Sequence, residues 1–456
     1  MNRRKQPNLL FVFADQMRGM DMGCAGNPDV STPAMDRMAA EGTRLSHCYA
    51  TTPVCGPNRA ILLTGTYSTT SGVIGNDLPL PLGIPTLGTI ARENGYRTGY
   101  IGKWHLDGLP RTRFTPPGPR RHGFEFWAAY NCSHDYFHPR WYRDTPQLIE
   151  VEGYEPEAQT DLALQFLLEH ASEPFCLLLS WGPPHDPYDQ VPASYQARYD
   201  PAKISLRPNV QTDIANPLAA GKECRQTLCR YYAAITALDE QLGRILDRLD
   251  DLGLADDTLV VFTSDHGDML WSHGWMKKQS PYEEAVQVPL LIRWPGRIPA
   301  CTTRDTLLGT VDVLPTLAGL LEWRHAANME GTDLSGTLRG EPRAPAPSAL
   351  FLANYLSEDE GVQQQMPVWR AVRTARHTYV ELAGRVPWML FDDIADPFQM
   401  DNRIERPECA SVRQQLRDTL SGWLQSTRDP FLPAPLFLAQ LGLAQTWADR
   451  EREIRM

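Results

Sequence analysis

Five short apolar runs punctuate the chain, at 8–14 (NLLFVFA), 97–102 (RTGYIG), 175–181 (FCLLLSW), 258–264 (TLVVFTS) and 288–294 (VPLLIRW). Runs of this length predict strands buried on both faces. Helical patterns lie between them. Residues 31–42 (STPAMDRMAAEG) have a Ser/Thr cap, a proline in the first turn and a glycine stop, and 85–95 end the same way. Residues 224–253 place apolar side chains at helical spacing and predict one long amphipathic helix. Strands alternating with helices predict an α/β fold, a large mixed, mostly parallel sheet sandwiched by helices.

The pattern changes near residue 340. The proline-rich stretch 339–350 (RGEPRAPAPSAL) reads as a linker or surface loop. Beyond it, 368–382 and 387–397 alternate like antiparallel strands, and 410–426 reads as a helix. We expect a catalytic domain at 1–340 and a smaller C-terminal α+β domain at 341–456, an antiparallel sheet plus helix with terminal helices. No internal repeat is visible.

Composition narrows the class only slightly. The chain has 456 residues, 42% hydrophobic and 22% charged, as in ordinary globular proteins. A net charge of −11 argues against a nucleic-acid partner. No apolar run is long enough for a transmembrane helix, and the N-terminal one is short, ends in Asp15 and lacks a small-residue cleavage site. The nine cysteines are scattered without metal spacing. The expectation is a cytoplasmic protein with no membrane partner; the oligomeric state stays open.

The ends of the apolar runs carry the chemistry. In open α/β sheets ligands bind beyond the carboxyl ends of the strands. Here the first run ends in Asp15-Gln16, the second leads to Lys103 and His105, the third leads to His185, and the fourth ends in Asp265-His266. Alone, each fits a turn cap or a solvated loop residue. Recurring at four strand ends, they predict one active site. Asp15, Gln16 and Asp265 with one imidazole suit a hard divalent cation, Ca²⁺, Mg²⁺ or Mn²⁺, and not the thiolate or multi-histidine set of zinc. Arg59, Lys103 and Lys277 or Lys278 suit an anionic tetrahedral group. Cys55 stands apart from any apolar run, in a Gly/Pro/Asn turn at the start of a helical segment.

Taken in order, PNLLFVFADQ (7–16), VCGPNRAILLTG (54–65), GYIGKWH (99–105), PPHDPY (183–188), the segment 262–296 around DHGDMLWSHGWMKK, and LFDDIADPFQMDNRI (390–404) resemble the formylglycine-dependent sulfatases of the alkaline-phosphatase superfamily. The resemblance spans about 7–430. It implies a sulfuric-ester hydrolase in which a sulfatase-maturating enzyme oxidises Cys55 to formylglycine. One hydroxyl of the aldehyde hydrate attacks sulfur and the other lets the adduct collapse, an exit that a thiol lacks. It also implies that Asp15, Gln16, Asp265 and His266, with position 55, hold a divalent cation, Ca²⁺ by preference. Arg59 would hold the hydrate. Lys103, His105, His185 and Lys278 would bind sulfate or move protons, Lys278 being preferred over Lys277 by its spacing from His273 and Tyr282. Asn76 and Asp77 are candidates for the substrate rim, as are the Arg-, His- and aromatic-rich segments 111–127 and 130–144.

Two departures from the family pattern matter. Gln16 replaces the second Asp of many members and also occurs in relatives that cleave phosphonate monoesters and phosphodiesters. Asn58 replaces the common Ser of the signature. A phosphonate monoester or phosphodiester hydrolase therefore remains an alternative, and a non-catalytic anion-binding protein with unconverted Cys55 is a third reading. The alcohol that carries the sulfate, a sugar or a small alcohol or aryl group, is not specified.

Overall fold

The structure, a computed structural model, describes residues 6–324 and 328–455. Its centre is a ten-stranded sheet in the order Thr302–Arg304, Thr43–Leu45, Leu290–Arg293, Thr258–Ser264, Asn8–Asp15, Phe175–Pro184, Arg97–Lys103, Phe126–Tyr130, Arg140–Tyr142 and Leu148–Glu150. The five strands from Thr258–Ser264 to Phe126–Tyr130 are mutually parallel, so their carboxyl ends share one edge. Leu290–Arg293 and Arg140–Tyr142 run antiparallel to them, and Leu148–Glu150 pairs antiparallel with Arg140–Tyr142.

Side chains of the first strand alternate between two cores, as a period of two requires. Leu9, Phe11 and Phe13 join one cluster with Ala60, Leu62 and Leu317. Leu10, Val12 and Ala14 join the other with Met35, Phe166 and Leu242. The second cluster is covered by Pro33–Glu41, Glu155–Glu169 and the long helix Cys224–Asp251. The first is covered by Cys55–Thr64, Leu87–Glu93 and Val313–Leu320. With both faces covered, the strands are apolar throughout, which is why they read as unbroken runs.

A second, antiparallel sheet orders Ala349–Asn354, Trp369–Thr374, His377–Leu382 and Val386–Asp392 side by side. One face packs Val372, Tyr379 and Leu390 into the first core beside Leu420 and Trp423 of the helix Ala410–Ser426. The other packs Ala371, Val380 and Phe391 against Tyr49 and Val286. Two further helices, Ala434–Gln440 and Ala444–Arg455, close the chain. Among the described residues no helix is long and apolar enough to cross a membrane.

Candidate active site

Cys55 is the first residue of the helix Cys55–Thr64, next to the parallel strand ends, and is 1% exposed. Its Sγ lies 3.1 Å from His266 Nε2 and 3.7 Å from Asp15 Oδ1, and Lys278 Nζ donates to it at 3.1 Å. Burial alone would push this thiol up. The charges of Lys278, Lys103 and His266 outweigh that effect and hold it well below its ordinary value. The helix start adds the positive end of the helix dipole to a site built for negative charge.

Arg59, one turn further along the helix, is 1% exposed. It donates to Asp265 Oδ2 at 2.9 Å, Asp15 Oδ2 at 3.2 Å, the Lys103 carbonyl at 2.7 Å and Ser180 Oγ at 2.8 Å. Lys103 Nζ donates to Asp15 Oδ2 at 2.6 Å. Burial pushes Asp15 up and a negative Cys55 adds to this, yet the cations Lys103 and Arg59 hold it well below the carboxylate range. Burial and the charge of Asp15 raise Asp265. An unpaired buried carboxylate costs about 3–5 kcal/mol, so these two acids are tolerable only because fixed cations surround them.

Asp15, Cys55, Asp265 and His266 each offer a ligand atom, all within 4.8 Å of one another. His266 Nδ1 lies 2.9 Å from the Gly267 carbonyl, a bond that leaves Nε2 free to face the cluster as a lone pair. Gln16 would complete the set. Its Nε2 donates to Asp268 Oδ2 at 2.7 Å, while its Oε1 is buried without a hydrogen-bond partner. Carboxylate and amide oxygens around one imidazole are the donors of a hard divalent cation, and the orphaned Oε1 is what such an ion would satisfy. The residues fit the metal.

His185 lies between Lys278 and a rim aromatic. Lys278 Nζ is 2.9 Å from its Nε2, and its Nδ1 is 2.8 Å from the Asp186 carbonyl. It stacks on His134 with ring centroids 4.3 Å apart. Burial, Lys278 and His134 lower its proton affinity, so the ring is neutral and Nε2 accepts from Lys278. Lys277 points elsewhere, to Asp186 Oδ2 at 3.1 Å and Glu360 Oε1 at 3.3 Å. His105 Nε2 lies 3.2 Å from Asp77 Oδ1, and its Nδ1 has no hydrogen-bond partner. Gln16, Asp77 and His105 all take left-handed backbone conformations, φ 70°, 63° and 57°. Such strain costs about 1 kcal/mol or more per residue and clusters at functional sites.

Asn76 is committed to the scaffold: its Oδ1 accepts from Gly56 N at 2.9 Å. Asp77 is likewise engaged, held by both nitrogens of a fork from Arg111 at 2.9 and 2.8 Å. Asn58, the departure from the usual Ser, donates to the Asp265 carbonyl at 2.5 Å and accepts from Thr310 at 2.6 Å, so it braces a metal-site residue. Asp268, Ser180, His134 and Glu358 belong to this surround and were not singled out from the sequence. Only the motif DHGD hinted at Asp268, as an acid one turn beyond Asp265-His266.

Comparison with known proteins gives the family. The Sulfatase family model matches residues 7–323, and that of the N-sulphoglucosamine sulphohydrolase C-terminal region matches 271–426. The chain belongs to the sulfatase family. The ulvan-active sulfatase of Formosa agariphila is 36% identical over 439 residues, covering 95% of this chain and 84% of that protein. A structure solved in complex with its substrate D-glucosamine-2-N,6-O-disulfate aligns with a TM-score of 0.78 at 26% identity, over 93% of this chain and 99% of the other. The phosphonate monoester hydrolase of Silicibacter pomeroyi aligns at 0.79 and 25% identity, over 93% and 96%. This sulfatase is therefore a hydrolase of sulfate esters, with a divalent-cation-compatible cluster around Cys55.

Proposed function

We propose that this protein hydrolyses a sulfate monoester of a sugar, with Cys55 converted to formylglycine and one divalent cation bound, Ca²⁺ before Mg²⁺ or Mn²⁺. The observation that carries the reading is the convergence of Lys278, His266 and Asp15 on Cys55 Sγ, which stands where the attacking hydroxyl of the converted residue would be. The cation would be held by Asp15, Gln16, Asp265 and His266 together with position 55. It supplies Lewis acidity that favours the ionised nucleophile and polarises the sulfuryl group.

The chain's own groups do the rest. Two carboxylates, Asp15 and Asp265, face three fixed cations, Arg59, Lys103 and Lys278, so the site favours an anion even before a metal binds. Lys103 and Lys278 grip sulfuryl oxygens. Lys278, backed by neutral His185, delivers a proton to the leaving oxygen, and His105 assists collapse of the adduct at position 55. A sugar sulfate is supported by the relatives named for saccharide substrates. In the half-buried rim, His134 and the Arg111–Asp77 fork would meet it.

Because folded Cys55 is almost wholly buried, a maturating enzyme must reach it on the unfolded chain. A cytoplasmic setting belongs to the same proposal and is supported by nine free thiols. So does the division in which 1–340 carries the catalytic groups and 341–456 shapes their surround. The test is release of inorganic sulfate from a panel of sulfated sugars and aryl sulfates, measured against the converted fraction of Cys55. Sulfate release that is independent of that fraction would overturn the formylglycine reading. Neutral Gln16 and the likeness to a phosphonate monoester hydrolase support a second reading, cleavage of phosphonate monoesters at the same site. The same panel with phosphonate monoesters and phosphodiesters decides between them.

A further inference from the structure

The last helix, Ala444–Arg455, lies beyond both matched regions, 7–323 and 271–426, yet it reaches the catalytic groups. Arg450 is 1% exposed. Its Nε is 3.3 Å from Asp77 Oδ2, and its Nη2 is 3.2 Å from Glu358 Oε2 and 2.6 Å from Asp359 Oδ2. Its guanidinium lies 4.6 Å from the centroid of the Trp447 ring. That ring in turn presses on Gly75, where a Cβ would fall 2.8 Å from a ring carbon. Only glycine lets the helix come this close to the backbone that precedes Asn76.

Two chains of contacts run inward from this guanidinium, one starting as an ion pair from Nε to Asp77 that lacks hydrogen-bond geometry and the other as hydrogen bonds from Nη2. Asp77, the first acid it pairs with, is the partner of His105 Nε2 and of the Arg111 fork. Glu358, the second, accepts from the Asn76 backbone N–H with both oxygens, at 3.1 and 3.0 Å. Asn76 Oδ1 then holds Gly56 N–H, on the peptide that follows Cys55. Burial and Asp359 push Glu358 up to about 8 even beside Arg450, so without Arg450 it would lose the cation that favours the ionised form accepting from the Asn76 N–H, and Asp77 and Asp359 would be left with Arg111 as the remaining guanidinium. Both losses fall on the groups, Asp77 and Asn76, that hold His105 and the start of the nucleophile helix. His105 needs such a hold, because its backbone sits in the left-handed region.

We propose that Arg450 is a positioning residue for ester hydrolysis, fixing Asp77 and Glu358 so that His105 and the Cys55–Gly56 peptide keep their places. The C-terminal helix is thereby a working part of the active site. This rests on the proposed roles of His105 and Cys55.

The test uses the full-length, converted enzyme, with kcat expressed per aldehyde at position 55 and measured well below each variant's Tm. Arg450→Met is expected to lower kcat roughly 10- to 100-fold with a much smaller change in KM, the range seen when a group that orients a catalytic residue is lost. Arg450→Lys, which keeps the charge but not the fork, should recover part of that loss at a similar Tm. Arg452→Met, on the same helix with Arg452 72% exposed on its outer side, should match the unaltered enzyme. If Arg450→Met does not fold, Arg450→Lys and Glu358→Gln carry the test, and both should show reduced kcat. A lowered Tm with kcat per aldehyde unchanged in these variants overturns the proposal. An unaltered enzyme that cleaves phosphonate monoesters but not sulfate esters overturns the sulfate reading instead, and the same kcat comparison on the phosphonate then decides the role of Arg450.

Discussion

The side-chain amide of Gln16 donates to Asp268 at 2.7 Å, a bond that leaves its buried Oε1 without a hydrogen-bond partner. Asp268 also accepts from Tyr188 at 2.6 Å, so its carboxylate is fixed before Gln16 is considered. A glutamate at position 16 would set two carboxylates against each other in a buried place. Gln16→Glu should therefore destabilise the fold by about 3 kcal/mol, the scale of an uncompensated buried charge. Adding Asp268→Asn should restore most of the loss by supplying a donor to the new acid. Chemical denaturation of the single and double variants measures the coupling; equal stabilities for Gln16→Glu and the parent protein would refute it.

The reach of sequence reasoning can be seen in the same pair. Asp15-Gln16 was legible because polar residues directly after an unbroken apolar run mark the carboxyl end of a buried strand. Asp265-His266, Lys103 and His185 were legible for that reason too. Asp268 was not, because its bond to Gln16 joins residues 252 apart. Arg450 and Glu358 were hidden in the same way: a charge on a terminal helix reads as solvated until its partners are known. The three-residue strands Thr43–Leu45, Arg140–Tyr142, Leu148–Glu150 and Thr302–Arg304 carry no readable period. They pair only because longer neighbours hold them in place. Three strands of the four-stranded sheet were legible, since the alternating stretches 368–382 and 387–397 cover Trp369–Thr374, His377–Leu382 and most of Val386–Asp392, while Ala349–Asn354 follows a proline-rich stretch that masks it.

Removal of divalent cations with a chelator should abolish turnover and lower Tm, since Asp15, Asp265 and Gln16 Oε1 lose the group that offsets their burial. Re-addition of Ca²⁺, Mg²⁺ and Mn²⁺ separately ranks the ions. Asp265→Ala should not be rescued by any of them. Full turnover by metal-free protein would remove the cation from the proposal.

Lys278 Nζ touches both Cys55 Sγ and His185 Nε2, so one ammonium sits between the nucleophile and the rim. Lys278→Ala should reduce kcat/KM on every ester by about 2–4 kcal/mol, comparable to losing one oxyanion donor. The loss should be larger for poor leaving groups, such as sugar hydroxyls, than for nitrophenols that leave without a proton. A uniform loss across leaving groups would make Lys278 a sulfate-binding group alone.

Protein made without a maturating enzyme should keep the thiol at position 55, fold normally and turn over slowly. Normal folding is expected because one side chain differs at a site whose polar partners stay in place. Cys55→Ala should be inactive even after co-expression with the maturating enzyme. Peptide mass and an aldehyde-reactive probe give the converted fraction, and activity should rise in proportion to it.

A pH effect on stability follows from Glu155, which is buried at the start of the helix Glu155–Glu169 and accepts from Tyr130 Oη at 2.9 Å. Burial pushes its carboxyl from the ordinary 4.5 up to about 7, against the pull of Tyr130, the Gly182 amide and Lys103. The folded protein therefore holds this proton more tightly than the unfolded chain does. Below pH 4.5 both states are protonated and the group costs nothing; as pH rises from there through about 7 the folded state must give up the proton, and stability falls. Above that the deficit is constant, at about 3 kcal/mol for a shift of this size, most of it developed between pH 5 and pH 8. Glu155→Gln keeps an oxygen for Tyr130 and cannot ionise, so it should lack this fall. The quantity to measure is the difference between the two proteins' unfolding free energies at pH 5 and at pH 8, because subtraction cancels the titration of every other group. The variant should gain on the parent by most of that amount between the two values, and parallel curves would show that Glu155 does not change its charge in this range.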